Sequence, residues 1–310
     1  MHSIDQMAPA TLTAAPLTAA TETATETAPG TSAVVDRVAH LSPKDFAARY
    51  FRARRPVLIT DMATRWPACE RWTFDFFARQ DPDRRVTLEK GNVLQGETDF
   101  ETARIADYLA RIESEGSAEG TGSKRRYLSM FRVFEAFPRL KADVDFHLIE
   151  KTSLWQIYFA WLGPAGTLTG YHIDWIDNIL TQIRGRKRVW LVPPGQSSKM
   201  YPSKKYDYRS TLSEVEPNTW DPRLHPRFAE VTPLEITLEP GHMLFIPHGW
   251  WHRVLALTPS ISINAFAQDL TGLLWRQSRA SSLHLLHRAG LYGRADCTCH
   301  HKTPTGTDAR

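Results

Sequence analysis

Hydrophobic and polar positions alternate from residue 155 onward. In segment 155–161, Trp, Ile, Phe and Trp fill every second position, with Gln, Tyr and Ala between them. A period of two residues is typical of a β-strand that buries one face. Similar short segments follow, separated by Gly and Pro turns, at 169–174, 179–184, 188–192, 234–238, 243–246, 252–257 and 260–267. This succession predicts a mainly β fold, either a sandwich or a barrel.

Helical patterns lie on both sides of this β-rich region. Ser42 and Pro43 form a typical helix start. The aromatic residues that follow them share one helical face: Phe46, Tyr50 and Phe51. The pattern also predicts a short buried strand at 55–59, helices at 72–77 and 102–113, and a Gly- and Ser-rich loop at 115–123.

The C-terminal segment 271–291 is helical again, and its leucines form a partly apolar stripe. Such a stripe is most often core packing. The alternative interpretation is a homodimer interface formed by these helices.

Five segments describe the expected organisation. Residues 1–33 consist mainly of Ala, Thr and Pro, a composition that cannot bury enough apolar surface to fold, so we expect disorder there. The segments are the disordered 1–33, an N-terminal α/β part at 34–150, a β core at 151–270, a helical region at 271–293 and a flexible tail at 294–310.

Composition and charge narrow the class of protein. Of 310 residues, 42% are hydrophobic and 23% are charged, which is ordinary for a globular chain, and no apolar run is long enough to suggest a membrane span. The net charge of +4 comes from short basic clusters, so we expect no nucleic-acid partner. Three cysteines give no disulfide framework and favour a cytoplasmic location.

The tail carries one further cluster of metal-binding residue types. Cys297, Cys299, His300 and His301 could hold a metal, but they are crowded and no second cluster completes a zinc site. We expect an exposed tail with no assigned ligand.

The triplet His172-Ile173-Asp174 is the most informative chemical feature. In a strand, positions i and i+2 face the same side, so His172 and Asp174 can both point into a barrel while Ile173 packs outward. An imidazole and a carboxylate are two of the three ligands in the facial triad of non-haem Fe(II) oxygenases, which leaves open positions for dioxygen and a cosubstrate. Alone the triplet is weak, because such triplets occur by chance.

A third ligand must come from elsewhere in the chain. The segment 240–254 offers His242 in a Pro-Gly turn, His248 in a second turn, and His252 at the start of the following strand. A strand position can direct its side chain inward, so the sequence favours His252 over His248 and His242.

The stretches 170–174 and 193–194, together with 240–252, resemble the JmjC or cupin-like 2-oxoglutarate oxygenases. Within this family they are most similar to the asparaginyl hydroxylase of hypoxia-inducible factor and to bacterial cupin-like relatives. The N-terminal Arg55-Pro56-Val57-Leu58-Ile59 and Trp66-Pro67-Ala68 are also similar to the family's N-terminal region. The resemblance implies a double-stranded β-helix with surrounding helices, Fe(II), and 2-oxoglutarate as cosubstrate.

The resemblance also implies a cosubstrate site made of Thr169, Asn178, Lys187, Asn264 and Tyr127. Lys187 would grip the distal carboxylate of 2-oxoglutarate. Physical chemistry supports a cation there, since a buried carboxylate without a partner is very costly. The neighbours Arg186 and Arg188 are alternatives, but in a strand they face away from Lys187.

The expected function is therefore hydroxylation of a C–H bond in a protein or peptide side chain, with dioxygen as oxidant. Three alternatives remain at this point. They are hydroxylation of a free amino acid or natural-product intermediate, N-methyl-lysine demethylation, and a non-catalytic metal-binding cupin. The resemblance also places Trp175 and Asp177 where substrate contacts are expected.

Overall fold

The computed structural model describes residues 34–90, 99–114, 125–294 and 296–298. Its strands are β1 (Asp36–Val38), β2 (Val57–Ile59), β3 (Arg85–Lys90), β4 (Asp99–Arg104), β5 (Arg126–Phe131), β6 (Trp155–Gly163), β7 (Leu168–Asp174), β8 (Asp177–Arg184), β9 (Lys187–Val192), β10 (Ser210–Leu212), β11 (Leu234–Leu238), β12 (Met243–Ile246), β13 (Trp251–Ala256) and β14 (Ser260–Gln268). Within the described residues these strands form two sheets.

The two sheets form the double-stranded β-helix that the sequence predicts. The larger sheet runs in the order β1-β2-β12-β8-β14-β6-β5-β3-β4, and the smaller runs β10-β7-β13-β9-β11. Four antiparallel strands of the larger sheet (β12, β8, β14, β6) face four of the smaller (β7, β13, β9, β11). The remaining strands extend the two edges.

Side-chain alternation builds the core between the sheets. On β8, Leu180 points inward, whereas Ile179 and Ile183 point outward toward the helices. On β12, Leu244 likewise faces the interior and Phe245 the exterior. The inward residues pack against apolar side chains from β9 and β11, so a hydrophobic core closes one end of the barrel.

Helices cover the outer face of the larger sheet: α1 (Pro43–Phe46), α2 (Pro67–Arg71), α3 (Phe74–Gln80), α4 (Ile105–Ser114), α5 (Val133–Ala136) and α6 (His147–Glu150). The C-terminal helix α7 (Ser278–Arg288) instead contacts Tyr206 and Tyr208 in the segment before β10. A π-helical segment, Ala47–Phe51, continues α1, and another, Gly272–Gln277, precedes α7. Phe46 packs edge-on against Phe245 with 4.9 Å between ring centroids, which joins α1 to the sheet.

Most predicted elements are confirmed, including the helix start at Ser42, whose side chain accepts a hydrogen bond from the Asp45 amide. The helix predicted over 102–113 is wrong at its start. Thr102 pairs with Thr87 in the sheet, and α4 begins only at Ile105. Strand pairing thus outweighs local helical periodicity at these positions. The predicted disordered segment 1–33 and the loop 115–123 lie outside the described residues.

The C-terminal region departs from the expectation of an exposed tail. Cys297 is buried, and it forms a parallel bridge with Tyr206. Cys299, His300 and His301 lie outside the described residues. Around α7, several apolar side chains are exposed, among them Trp275 and Leu285, and the homodimer remains a prediction. In the described part of the chain, no helix has the length and apolar character needed to cross a membrane.

Candidate metal centre and cavity

His172, Asp174 and His252 converge at the open end of the barrel. Strands β7 and β13 are antiparallel neighbours, and His172 lies directly opposite His252 in their register. One possible ligand atom from each of the three side chains lies within 4.8 Å of the others. His252 Nε2 is 3.4 Å from Asp174 Oδ2, and the two imidazole centroids are 4.0 Å apart. Two imidazoles and one carboxylate fit the facial triad of Fe(II) sites.

Local packing explains why these side chains face the cavity. Ile173 and Trp251, the strand neighbours of the triad, pack together on the opposite face of the smaller sheet. Gly249 has φ +86°, a left-handed conformation that suits glycine, in the turn before β13. In this conformation its amide donates to the carbonyl of Asp174 at 3.2 Å, which ties the two ligand strands together.

Backbone carbonyls orient both imidazoles. His172 Nδ1 lies 2.9 Å from the Gly170 carbonyl, and His252 Nδ1 lies 3.1 Å from the Trp250 carbonyl. A carbonyl only accepts, so each Nδ1 carries the proton and each Nε2 lone pair is free to bind a metal. The two rings are therefore oriented with Nε2 toward the cluster.

The electrostatics of the triad agree with this assignment. Burial, followed by the charge of His252, lowers the pKa of His172 to about 4, so its imidazole is neutral at physiological pH. Burial opposes ionisation of Asp174, but its contacts with His252 and His172 outweigh this effect and lower the pKa of the carboxyl. A neutral imidazole at His172 and a carboxylate at Asp174 are the protonation states that metal binding requires.

The two competing histidines lie elsewhere. His242 Nδ1 accepts a hydrogen bond from the Glu239 amide at 3.2 Å, within its own turn. His248 contacts the buried carboxylate of Asp177 at 3.0 Å. Neither belongs to the cluster of possible metal ligands that the described residues form.

A cavity of about 510 Å³ opens beside the triad. Its wall includes each residue predicted for the cosubstrate site: Thr169, Asn178, Lys187, Tyr127 and Asn264. Phe159 and Trp161 of β6 also line it. A cavity of this size, whose wall combines apolar side chains with charged and hydrogen-bonding groups, suits a small organic ligand.

Lys187 is a buried cation in this wall. Its Nζ donates to Tyr127 Oη at 3.0 Å and to Ser262 Oγ at 2.6 Å, which leaves one of its three protons unassigned. Burial lowers the pKa of Lys187 to about 7. Arg188, in contrast, pairs with Glu235 on the surface, as strand alternation predicts.

Polar atoms without partners mark where a ligand would bind. Asn264 donates to Asn178 Oδ1 at 2.9 Å, but Asn264 Oδ1 itself is buried and lacks a hydrogen bond within the described structure. The same holds for Trp161 Nε1. Such groups are costly unless a ligand or water satisfies them. Trp161 Nε1 and Lys187 are donors that suit a carboxylate-bearing cosubstrate, whereas Asn264 Oδ1 is an acceptor that needs a donor such as water.

Sequence reasoning missed two acidic residues of this cavity, Glu89 and Asp207. Burial, and then the charge of Asp207, raise the pKa of Glu89 to about 7 against a hydrogen bond from Ser129. Burial and the nearby charge of Asp174 raise the pKa of Asp207, although it accepts a hydrogen bond from Thr298. No local motif marks either residue, because they lie on separate elements. The only signal in the sequence that could have marked them as candidate site residues is that they are carboxylates.

Two other lining residues hold strained backbone conformations. Met130 has φ +46° and Arg209 has φ +64°, both in the left-handed region that side chains rarely adopt. Such strain concentrates at ligand sites, where the surrounding fold enforces it.

Comparison with known proteins agrees with the fold. The model of the family described as "Cupin-like domain" matches residues 43–269. Jumonji C domain-containing protein 5 of Drosophila melanogaster is 30% identical over 72% of this chain and 57% of its own length.

Two further relatives carry the name of a demethylase. Lysine-specific demethylase 8 of Xenopus tropicalis is 30% identical over 72% of this chain and 50% of its own length. Lysine-specific demethylase JMJ30 of Arabidopsis thaliana is 31% identical over 74% of this chain and 54% of its own length. The chain therefore spans about half the length of the curated relatives it matches. From its family match and these relatives, the chain belongs to the cupin-like family of JmjC type.

Proposed function

We propose that this protein is an Fe(II)- and 2-oxoglutarate-dependent oxygenase that oxidises a C–H bond of a basic protein side chain. The observation that carries the proposal is the composition of one cavity. The same cavity is lined by the His172, Asp174 and His252 triad, by the buried cation Lys187 and by the carboxylates of Glu89 and Asp207.

The triad would hold the metal through the two Nε2 atoms and the Asp174 carboxylate. When bound, iron and 2-oxoglutarate supply the oxidising power that activates dioxygen toward a C–H bond. The protein contributes fixed ligands with the correct tautomers, and a partly enclosed cavity that limits access of water.

Lys187 would bind the distal carboxylate of 2-oxoglutarate, assisted by Tyr127. Its ammonium is compact, buried and already oriented by two hydroxyl groups. Asn264 Oδ1 and Trp161 Nε1 are the unsatisfied atoms nearby that a bound ligand or its water could pair with. A carboxylate beside Lys187 would favour the charged form of the amine, so binding would take up a proton near neutral pH.

Glu89 and Asp207 would recognise the substrate. Two carboxylates raised in pKa by burial gain most from a cation that restores their charged forms. The demethylase names of the relatives support lysine as the basic residue, and N-methyl-lysine demethylation fits them better than the hydroxylation that the sequence favoured.

Carbon hydroxylation of an unmethylated basic residue is the second candidate. Glu89 and Asp207 are hydrogen-bond acceptors, so they favour a cation that still carries N–H donors. A trimethylated ammonium has no such donors, whereas lysine, arginine and the lower methylated lysines have them.

A peptide-array experiment tests the proposal. Basic peptides, with and without lysine methylation, are incubated with the protein, Fe(II) and 2-oxoglutarate, and succinate, formaldehyde and peptide mass are measured. Demethylation releases formaldehyde, whereas hydroxylation adds the mass of one oxygen atom. Matched peptides with Glu in place of the basic residue should be inert.

Asp174→Ala is the negative control, because it removes one metal ligand. Succinate formation that depends on the basic peptide in the wild type alone supports the proposal. Equal turnover in the variant, or a preference for acidic peptides, would contradict it. A non-catalytic cupin or a small-molecule hydroxylase would leave all peptides unchanged. The absence of a nucleic-acid partner and the cytoplasmic location stay predictions.

A further inference from the structure

The family resemblance places Asp177 at a substrate contact, but its position in the structure is different. Its side chain is fully buried, and it is not among the described residues that line the cavity. A substrate contact is therefore ruled out for this carboxylate. It lies instead at the first position of β8, three residues after the ligand Asp174.

The Asp177 carboxylate binds the turn that leads into β13. Asp177 Oδ1 accepts from the His248 backbone amide at 3.0 Å, and His248 Nδ1 lies 3.0 Å from the same oxygen. Because a carboxylate only accepts, His248 Nδ1 carries the proton. His248 precedes the ligand His252 by four residues, so this contact ties the turn after Asp174 to the turn before His252.

Two arginines complete the environment of Asp177. Arg54 Nη1 donates to both carboxylate oxygens, at 3.0 Å and 3.1 Å. Arg276 Nη2 lies 3.7 Å from Oδ2, and its Nε donates to the carbonyl of Trp175 at 3.0 Å. Trp175 directly follows the ligand Asp174. The second acid, Asp269, pairs with both arginines at 3.4 Å.

The backbone conformation of Arg54 is strained, which indicates that the surrounding fold holds this residue in place. Its φ is +54°, a left-handed value that costs free energy in any residue with a side chain. The same residue accepts a hydrogen bond from Trp250 Nε1 through its carbonyl, at 3.0 Å. The strained conformation thus serves two contacts, one to Asp177 and one to the segment that carries His252.

We propose that Asp177 is a positioning residue of the metal centre, an inference that rests on the proposed metal-dependent function. Its carboxylate fixes the β7–β8 turn and the turn before β13 relative to each other, so that Asp174 and His252 meet at the distance a metal requires. Arg54 and Arg276 connect the Asp177 carboxylate to the two π-helical regions, since Arg54 follows the segment Ala47–Phe51 and Arg276 lies in Gly272–Gln277.

Asp143 provides a matched control for an ordinary structural role. It is also a buried carboxylate, and it also binds an arginine, Arg71, together with Trp72 Nε1 at 2.8 Å. It lies in the helical layer and does not line the cavity in the described structure. Asp143→Asn and Asp177→Asn therefore remove the same charge from comparable buried sites.

The experiment measures Co(II) binding by its visible absorption spectrum, with metal-free folding checked by circular dichroism. Residues that orient metal ligands typically change metal affinity by roughly 10- to 100-fold when substituted. We expect Asp177→Asn to weaken Co(II) binding by about tenfold or more and to alter the ligand-field bands. We expect Asp143→Asn to lower thermal stability while leaving the Co(II) dissociation constant within about twofold of wild type.

His248→Ala keeps the test decisive if Asp177→Asn does not fold. The His248 side chain is partly exposed, and its removal leaves the backbone bond to Asp177, so a smaller loss of affinity, roughly threefold to tenfold, is expected. Unchanged Co(II) affinity and spectrum in the folded variants would overturn the inference. Failure of the wild type to bind Co(II) would instead contradict the proposed function.

Discussion

Replacing Lys187 by Met should stabilise the ligand-free protein and weaken cosubstrate binding. Lys187 is 2% exposed, and burial lowers its pKa from 10.5 to about 7. The folded state therefore binds fewer protons here than the unfolded chain. The resulting penalty is fully present below about pH 7 and disappears as the pH rises toward 10.5.

The size of this penalty follows from the pKa difference. At neutral pH it corresponds to about 4 kcal/mol, since each tenfold change in proton affinity is worth about 1.4 kcal/mol. Methionine has a similar length and no charge, but Tyr127 and Ser262 then lose a hydrogen-bond donor, at about 1 kcal/mol each. The net gain is about 2 kcal/mol, which should raise the melting temperature by roughly 4 to 8 °C.

Binding should change in the opposite direction. Leaving the distal carboxylate of 2-oxoglutarate without its cation costs about 3 kcal/mol, or roughly a hundredfold in affinity. Differential scanning calorimetry and isothermal titration with 2-oxoglutarate measure the two effects. Lys199→Met, which breaks a surface pair with Glu230, is the control and should change neither.

The wild-type affinity for 2-oxoglutarate should also depend on pH. Above about pH 7 the free Lys187 is neutral and must gain a proton on binding, so affinity should fall by up to about tenfold for each further pH unit. This decrease in affinity above pH 7 should be absent in Lys187→Met. Retained affinity in that variant, or a lower melting temperature, would refute the reasoning.

Three other perturbations test separate parts of the structure. Because Glu89 ionises only near pH 7, kcat/KM for a basic peptide should rise through that pH. Glu89→Gln should remove this rise and lower kcat/KM by about tenfold. A variant whose pH profile is identical to that of wild type would count against a role of Glu89 in substrate binding. His242→Gln should leave Co(II) affinity unchanged, and His252→Gln should weaken it by more than about a hundredfold, so equal titrations would reassign the ligand. Phe46→Ala should destabilise the domain by about 3 to 5 kcal/mol in urea unfolding without affecting metal affinity, and a coupled loss of both would show that α1 supports the metal centre.

Residue patterns predicted the β core, and together with the family resemblance they predicted the candidate metal ligands. The two-residue period of strands made His172 and Asp174 share a face, and their residue types are two of the three that a facial triad needs. The turn before β13 favoured His252 over the histidines at 242 and 248. Lys187 was predicted from the family resemblance, and the need of a buried carboxylate for a cation supported it independently.

Only the tertiary structure decided which distant groups share the cavity with the triad. Glu89 comes from β3 and Asp207 from the loop before β10, and no local period relates them. It also decided that Asp177 is buried beneath the site, although its sequence position suggested a substrate contact. The physical reason is that backbone periodicity fixes the direction of a side chain on its own element, whereas its partners depend on how non-local strands and helices pack.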